Sequence, residues 1–140
     1  MKPEEPFCQI LIADRNPHVR TYLKRELLAR GYRVLLARAC QEVIAEIEGV
    51  RRVDILILDP DLPGADAGGL FQKLKAYLPK IPVILHTLEH RRKEDFDLQP
   101  GWLLVEKKAD SVEQLQAALH KVLHGSQPPV PAQGRDCKVS

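Results

Sequence analysis

Short apolar runs alternate along this chain with longer segments in which apolar and polar residues are mixed. The runs have the length of β-strands and are rich in β-branched residues. The run at 55–58 contains no polar position, which is typical of a strand covered on both faces of a parallel sheet. The pattern predicts strands at residues 8–13, 34–37, 53–58, 83–85 and 102–105.

The mixed segments have the periodicity of amphipathic helices. In the first of them, Asn16 is a good N-cap, Pro17 suits the first helical position, and Gly31 suits the end of the helix. Apolar residues at helical spacing predict further helices at about 41–48, after Asp66, at about 89–97, and from Ser111 onwards.

The order of these elements is a series of five strand–helix units. Strands that alternate with helices predict an α/β fold, in which a doubly wound, five-stranded parallel sheet is the middle of three layers and five helices cover its faces. In such a sheet, ligands bind in the crevice at the carboxyl ends of the strands. The residues that follow each strand are therefore the first candidates for chemistry.

Composition agrees with a single globular domain. The chain has 140 residues, of which 44% are hydrophobic and 29% are charged. We expect the domain to span 7–124, between a polar N-terminal extension at 1–6 and a tail at 125–140. The proline, glycine and polar residues of that tail predict disorder. This division leaves no room for a DNA-binding output domain.

Charge and hydropathy exclude several classes of protein. The 21 Lys and Arg residues nearly balance the 19 Asp and Glu residues, and a net charge of +2 does not favour direct nucleic-acid binding. No apolar run approaches the roughly 18 residues that cross a bilayer, and the polar N-terminus lacks the apolar region of a signal peptide. We therefore expect a cytoplasmic protein that does not associate with membranes. The 3 cysteines lack the paired spacing of a disulfide framework or a zinc site.

Four residues whose side chains could bind a ligand or react with one lie at the predicted strand ends. Asp14, Asp59, Thr87 and Lys107 end or follow the first, third, fourth and fifth strands, which meet at one edge of a parallel sheet. Two carboxylates can hold Mg²⁺, and an aspartate beside a divalent cation can accept a phosphoryl group. A hydroxyl and an ammonium can bind phosphoryl oxygens.

The segments around these residues resemble a known family. Residues 10–17 resemble the opening of a response-regulator receiver domain of the CheY-like family, and residues 53–64 resemble its phosphorylation-site strand and following loop. Residues 82–87 and 104–107 are similar to its fourth strand, which carries a switch hydroxyl, and to the segment that carries its lysine. The resemblance covers about residues 7–124 and implies the CheY-like (flavodoxin-like) fold.

The resemblance also implies roles for individual residues. Asp59 matches the phosphoryl acceptor, Thr87 the switch residue, and Lys107 the residue that contacts a phosphoryl oxygen. The backbone N–H groups of Asp61 and Leu88 match those that bind the other phosphoryl oxygens.

The metal site implied by the resemblance is altered. Asp14, Asp59 and Asp61 match positions that hold Mg²⁺, but the family usually has two adjacent acids after the first strand, and here Arg15 follows Asp14. A guanidinium about 5 Å from Mg²⁺ would repel it by about 7 kcal/mol at an effective dielectric constant of about 20. We therefore expect weak or absent metal binding.

Two more departures follow the fourth strand. The family typically has a cis Lys–Pro bond, whereas this chain has Lys107 followed by Lys108. A cis bond without proline costs about 2.5–4 kcal/mol, so we expect a trans bond. Leu104 stands where the family usually has an aromatic switch residue, so a rotating aromatic ring is absent.

These observations leave two functions open. The first is a single-domain response regulator that accepts a phosphoryl group on Asp59 from a sensor histidine kinase or a phosphotransfer protein. It would act on a downstream protein target without binding DNA, and it could form a homodimer. The second is a degenerate receiver, in which Arg15 pairs with Asp59, replaces the metal's charge, and leaves a phosphorylation-independent interaction module.

An enzyme of another class fits less well. The spacing of Asp59 and Asp61 looks like the nucleophile motif of haloacid-dehalogenase-like phosphatases, but no later acidic pair stands at a suitable strand end. A dinucleotide site is disfavoured because no glycine-rich fingerprint follows the first strand. The sequence therefore favours a signalling module over an enzyme.

Overall fold

The computed structural model describes residues 8–63, 81–88, 101–108 and 111–124. These residues form strands and helices that alternate along the chain. In order they are β1 (Gln9–Ala13), α1 (Pro17–Ala29), β2 (Arg33–Ala37), α2 (Cys40–Glu48), β3 (Ile55–Leu58), β4 (Val83–Thr87), β5 (Leu103–Glu106) and α3 (Ser111–His124).

The strands form one sheet with the order β2-β1-β3-β4-β5, in which every neighbouring pair is parallel. The sheet thus runs outward from β1 in one direction and from β3 in the other, which is the doubly wound α/β topology predicted from the sequence. The predicted helices after Asp66 and at 89–97 lie outside the described residues. So do the extension at 1–6 and the tail at 125–140, and the proposed domain boundaries remain predictions.

The core lies on both faces of the sheet because side chains alternate along each strand. Leu56 and Leu58 of β3 pack on the face that α2 covers with Val43, whereas Ile55 and Ile57 pack on the opposite face. The opposite face is covered by α1 and α3 through a set of apolar side chains that includes Leu23, Leu27, Leu115 and Leu119. All four residues of β3 are buried, as its uninterrupted apolar run predicted.

Local sequence signals set the limits of α1. The Asn16 side chain accepts hydrogen bonds from the backbone N–H groups of His18 at 2.8 Å and Val19 at 3.4 Å. Gly31 has a φ of 95°, a left-handed conformation that glycine adopts without a steric penalty. The cap places the start of α1 directly after Asp14 and Arg15, at the carboxyl edge of the sheet.

The strand β4 extends beyond the apolar run at 83–85. It ends at Thr87, the residue expected at its carboxyl end, because His86 pairs with Val105 and Thr87 pairs with Glu106 of β5. In the parts of the chain that the structure describes, no helix combines the length and apolar character that crossing a bilayer requires.

Candidate functional site

Acidic and hydroxyl side chains lie buried at the carboxyl ends of the central strands. Asp14 and Asp59 follow β1 and β3, in which Ala13 and Leu58 are register partners. Relative exposure is 1% for Asp14, 1% for Asp59 and 0% for Thr87. Two carboxylates are therefore held side by side away from water, an arrangement that requires compensating partners.

Lys107 supplies the first of these partners. Its Nζ lies 3.0 Å from Oδ2 of Asp14 and 3.6 Å from Oδ2 of Asp59, and its side chain is only 13% exposed. The Lys107 backbone N–H donates to the Thr87 carbonyl at 2.7 Å, which fixes the chain where β5 ends. The structure thus brings together three of the four strand-end residues singled out from the sequence.

Arg15 supplies the second partner. Its Nε lies 3.4 Å from Oδ2 of Asp59, and its Nη2 lies 3.8 Å from Oδ2 of Asp61. The Arg15 backbone N–H also donates to Oδ2 of Asp59 at 3.2 Å. The guanidinium therefore faces the acidic cluster, although the side chain is 41% exposed and could have extended into water. The ion pair required by the degenerate-receiver interpretation is present.

Backbone N–H groups complete the environment of the two buried carboxylates. Asn16 donates to Oδ1 of Asp14 at 2.9 Å, and Asp61 donates to Oδ1 of Asp59 at 2.9 Å. Each carboxylate oxygen of Asp14 and Asp59 thus has a donor or a cation beside it. Such saturation stabilises a buried carboxylate and orients it firmly.

The burial of Asp14 has an electrostatic consequence. Desolvation raises the pKa of Asp14 above its usual value, and the nearby charge of Asp59 acts in the same direction. The N–H group of Asn16 and the ammonium of Lys107 oppose this shift without cancelling it. The charged form of the Asp14 carboxyl is therefore less favourable at this site than it is in water.

Two neighbouring side chains on β4 contribute polar atoms without partners. Among the described residues, the Thr87 hydroxyl forms no hydrogen bond, and neither ring nitrogen of His86 does. Burial lowers the pKa of His86 from 6.5 to about 4, and the charge of Lys107 adds to the shift while that of Asp59 opposes it. His86 is thus a neutral, buried side chain at the edge of the site.

The remaining predicted residues lie around this cluster. Leu88 directly follows Thr87 and is exposed, and the Asp61 side chain is half-buried. Leu104 packs against the apolar core on the α2 side of the sheet. No cis peptide bond occurs among the described residues, so the Lys107–Lys108 bond is trans as predicted.

Sequence reasoning missed one contributor. Arg20, one turn into α1, donates from Nη1 to the backbone carbonyl of Asp14 at 2.7 Å. This hydrogen bond stabilises the turn that carries Asp14 and Arg15. The only sign of this contact in the sequence is that Arg20 lies in the first turns of the helix that follows Asp14. Exposed arginines are common at such positions, so the sign is not specific.

The residues at this site do not fit Mg²⁺ in this arrangement. Magnesium requires several oxygen ligands at about 2.0–2.1 Å in an octahedral geometry. Here Oδ2 of Asp59 is directed at Arg15 and Lys107, and Oδ1 of Asp59 accepts a hydrogen bond from the backbone N–H of Asp61. Over the described ranges, no group of three or more His, Cys, Asp or Glu side chains is arranged to hold a metal ion.

Comparison with solved structures finds the same fold in receiver proteins. A response regulator receiver protein from Sinorhizobium medicae WSM419 is 16% identical with a TM-score of 0.73, and the match covers 86% of this chain and 98% of that one. The response regulator TrrA from Thermotoga maritima, solved in complex with Mg²⁺-BeF, is 25% identical with a TM-score of 0.66 and coverage of 83% and 99%. No curated protein sequence matches the chain.

Sequence similarity extends beyond the fold. The receiver domain from the hybrid histidine kinase CckA is 31% identical, with a TM-score of 0.64 and coverage of 82% of this chain and 98% of that one. The family model of the response regulator receiver domain matches residues 10–99, which include all of β1 except Gln9, the whole of β2 to β4, and Asp14, Asp59 and Thr87. The chain therefore belongs to the response regulator receiver domains, the receiving modules of two-component signalling.

Proposed function

We propose that this receiver accepts a phosphoryl group on Asp59 and transmits the signal through protein contacts. The observation that carries the proposal is the environment of Oδ2 of Asp59, which faces the ammonium of Lys107 and the guanidinium of Arg15. Transfer increases the negative charge at this position. Two cations beside the acceptor oxygen stabilise that charge, and the buried surroundings strengthen their effect.

Thr87 and two backbone groups support the same function. The Thr87 hydroxyl is buried without a hydrogen-bond partner among the described residues, so a phosphoryl oxygen would give it one. The backbone N–H groups of Asp61 and Leu88 would serve as further donors to phosphoryl oxygens. Asp61 now donates to Oδ1 of Asp59, which places its N–H at the acceptor carboxylate.

The transfer step uses this carboxylate as the nucleophile. An Asp59 oxygen attacks the phosphorus of a phosphohistidine on a sensor histidine kinase or a phosphotransfer protein. The phosphorus–nitrogen bond breaks, the imidazole leaves, and it takes a proton from solvent. The product is an acyl phosphate on Asp59. In this proposal the chain is a cytoplasmic signalling module that acts on a downstream protein and binds no DNA. It does not turn over a free substrate as an enzyme does. Formation of a homodimer would be one way to pass on the signal.

A small phosphodonor tests the proposal without knowledge of the partner. The purified chain is incubated with acetyl phosphate, and its intact mass is measured. We expect the addition of one phosphoryl group, absent from Asp59→Asn and retained by Asp54→Asn. Asp54 is the matched control because its partly buried carboxylate lies before β3, at the opposite end of that strand. An adduct that persists in Asp59→Asn would refute Asp59 as the acceptor.

The Arg15–Asp59 ion pair favours a second candidate function. If the pair already neutralises Asp59 and the carboxylate is not reactive, the chain is an interaction module that works without phosphorylation. The two functions differ in one result. An interaction module would give no adduct in the native chain under any metal condition, whereas Arg15→Asp would acquire one in the presence of Mg²⁺.

A further inference from the structure

The charges at the acidic cluster are balanced within the chain itself. Asp14, Asp59 and Asp61 carry three negative charges, and Arg15 and Lys107 carry two positive charges, all linked by contacts of 3.0 to 3.8 Å. One negative charge remains. With an acid in place of Arg15 and a bound divalent cation, four carboxylates, the ammonium and the metal would leave the same net charge.

The contacts of Arg15 place its positive charge directly at the acidic cluster. Its guanidinium reaches Asp59 and Asp61 together, so it lies between two carboxylates of the acidic cluster. Its backbone N–H is anchored to Asp59, which keeps the residue at the site even when its side chain moves. A guanidinium also presents several N–H donors in one plane, a geometry suited to carboxylate and phosphoryl oxygens.

From this arrangement, and on the basis of the function proposed above, we propose that Arg15 replaces the divalent cation. The site binds no Mg²⁺, and the phosphoryl group on Asp59 is held by Arg15 and Lys107 without a metal. In the transfer from acetyl phosphate, an Asp59 oxygen attacks phosphorus and acetate leaves with the electrons of the broken phosphorus–oxygen bond. Charge is conserved without a proton or a metal.

The first test measures metal binding, which does not depend on phosphorylation. Mg²⁺ is titrated into the native chain and into Arg15→Asp, and the backbone amide signals of residues 14, 59 and 61 are followed by NMR. We expect no saturable shift in the native chain and a saturable one in Arg15→Asp, with affinity at least about 100-fold higher because a ligand is gained and a cation removed. Equal affinities would overturn the proposal.

The second test measures the metal requirement of the adduct. The reaction with acetyl phosphate is repeated in EDTA and in Mg²⁺. We expect the native chain to react to within about 3-fold in the two conditions, whereas Arg15→Asp loses at least about 10-fold in EDTA. Arg15→Gln, which removes the charge without adding repulsion, should also lose reactivity in EDTA. A native chain that reacts only with Mg²⁺ would overturn the proposal.

Controls separate this inference from the proposed function. Arg51→Asp makes the same change of charge at a residue paired with Glu46, before β3 at the end opposite Asp59, and should leave both measurements unchanged. If the native chain gives no adduct in either condition while only Arg15→Asp binds Mg²⁺, the proposed function fails and the exclusion of the metal stands. The amide spectrum of each variant reports directly whether it folds.

Discussion

Removal of the Lys107 ammonium is the sharpest test of how the buried acids are stabilised. In Lys107→Met, the side chain stays unbranched, is one atom shorter and loses its charge. Asp14 and Asp59 are each 1% exposed, so neither can recover the lost partner from water. Arg15 remains beside Asp59, and Asp14 retains only its hydrogen bond from the Asn16 backbone.

The contacts of Lys107 set the size of the expected loss of stability. At an effective dielectric constant of about 20, contacts of 3.0 and 3.6 Å correspond to attractions of about 5 kcal/mol each. Desolvation of the ammonium offsets much of this, and removal of one partner from a buried ion pair typically costs about 3–5 kcal/mol. Protonation of one ordinary aspartate at pH 7 costs about 4 kcal/mol, which limits the loss. We expect about 3 kcal/mol.

The pH dependence follows from the same groups. Loss of Lys107 raises the pKa of Asp14 in the folded state further above its ordinary value of 3.8, so the variant loses stability at neutral pH, and this loss shrinks as the pH falls towards that value. Lys107 also lowers the pKa of His86, so its removal eases protonation of that ring at acid pH. Both effects reduce the difference between the variant and the native chain in acid.

Urea denaturation gives the measurement. The single tryptophan, Trp102, is buried before β5, so its fluorescence reports unfolding. We expect the free energy of unfolding to fall by about 3 kcal/mol at pH 7 and by less than about 1 kcal/mol at pH 4. Lys24→Met, at an exposed position of α1, is the control. A loss below about 1 kcal/mol at pH 7, or an equal loss at both pH values, would refute the reasoning.

Two further predictions concern His86 and Asn16. Because the pKa of folded His86 is lowered from 6.5 to about 4, its contribution to stability is present above pH 6.5 and is lost as the pH falls, by about 3 kcal/mol in total. His86→Leu should therefore be more stable than the native chain by a margin that grows between pH 6.5 and 4, and a constant margin in urea titrations would contradict this. Asn16→Ala removes the acceptor for His18 and Val19 and should cost about 1 kcal/mol by thermal unfolding, whereas Asn16→Asp should keep the cap; equal losses in both variants would exclude capping as the cause.

The fold was accessible from sequence because its signals are local and periodic. The apolar run of β3 and the Asn16 cap of α1 each specify an element without knowledge of the rest of the chain. The apolar run at 83–85 marked only part of β4, since the pairing of His86 and Thr87 depends on β5, which lies further along the sequence. Register of this kind is a property of the assembled sheet.

The positions of the site residues along the sheet could be predicted from the sequence, but the direction of one side chain could not. Strand ends placed Asp14, Asp59 and Lys107 at one edge, where the structure shows them in contact. The direction of the Arg15 side chain was open, because an exposed arginine can extend into water or turn towards a carboxylate. The contacts with Asp59 and Asp61 resolve this choice, and they depend on the loop after β3. The sequence could name the residue but not its orientation.

The central claim is that Asp59, flanked by two cations of the chain, accepts a phosphoryl group. The most direct measurement treats the native chain with acetyl phosphate in EDTA and maps the added phosphoryl group by mass spectrometry of its peptides. The account predicts one phosphoryl group, located on Asp59, without added metal. No modified peptide, or modification at any residue other than Asp59, would contradict it.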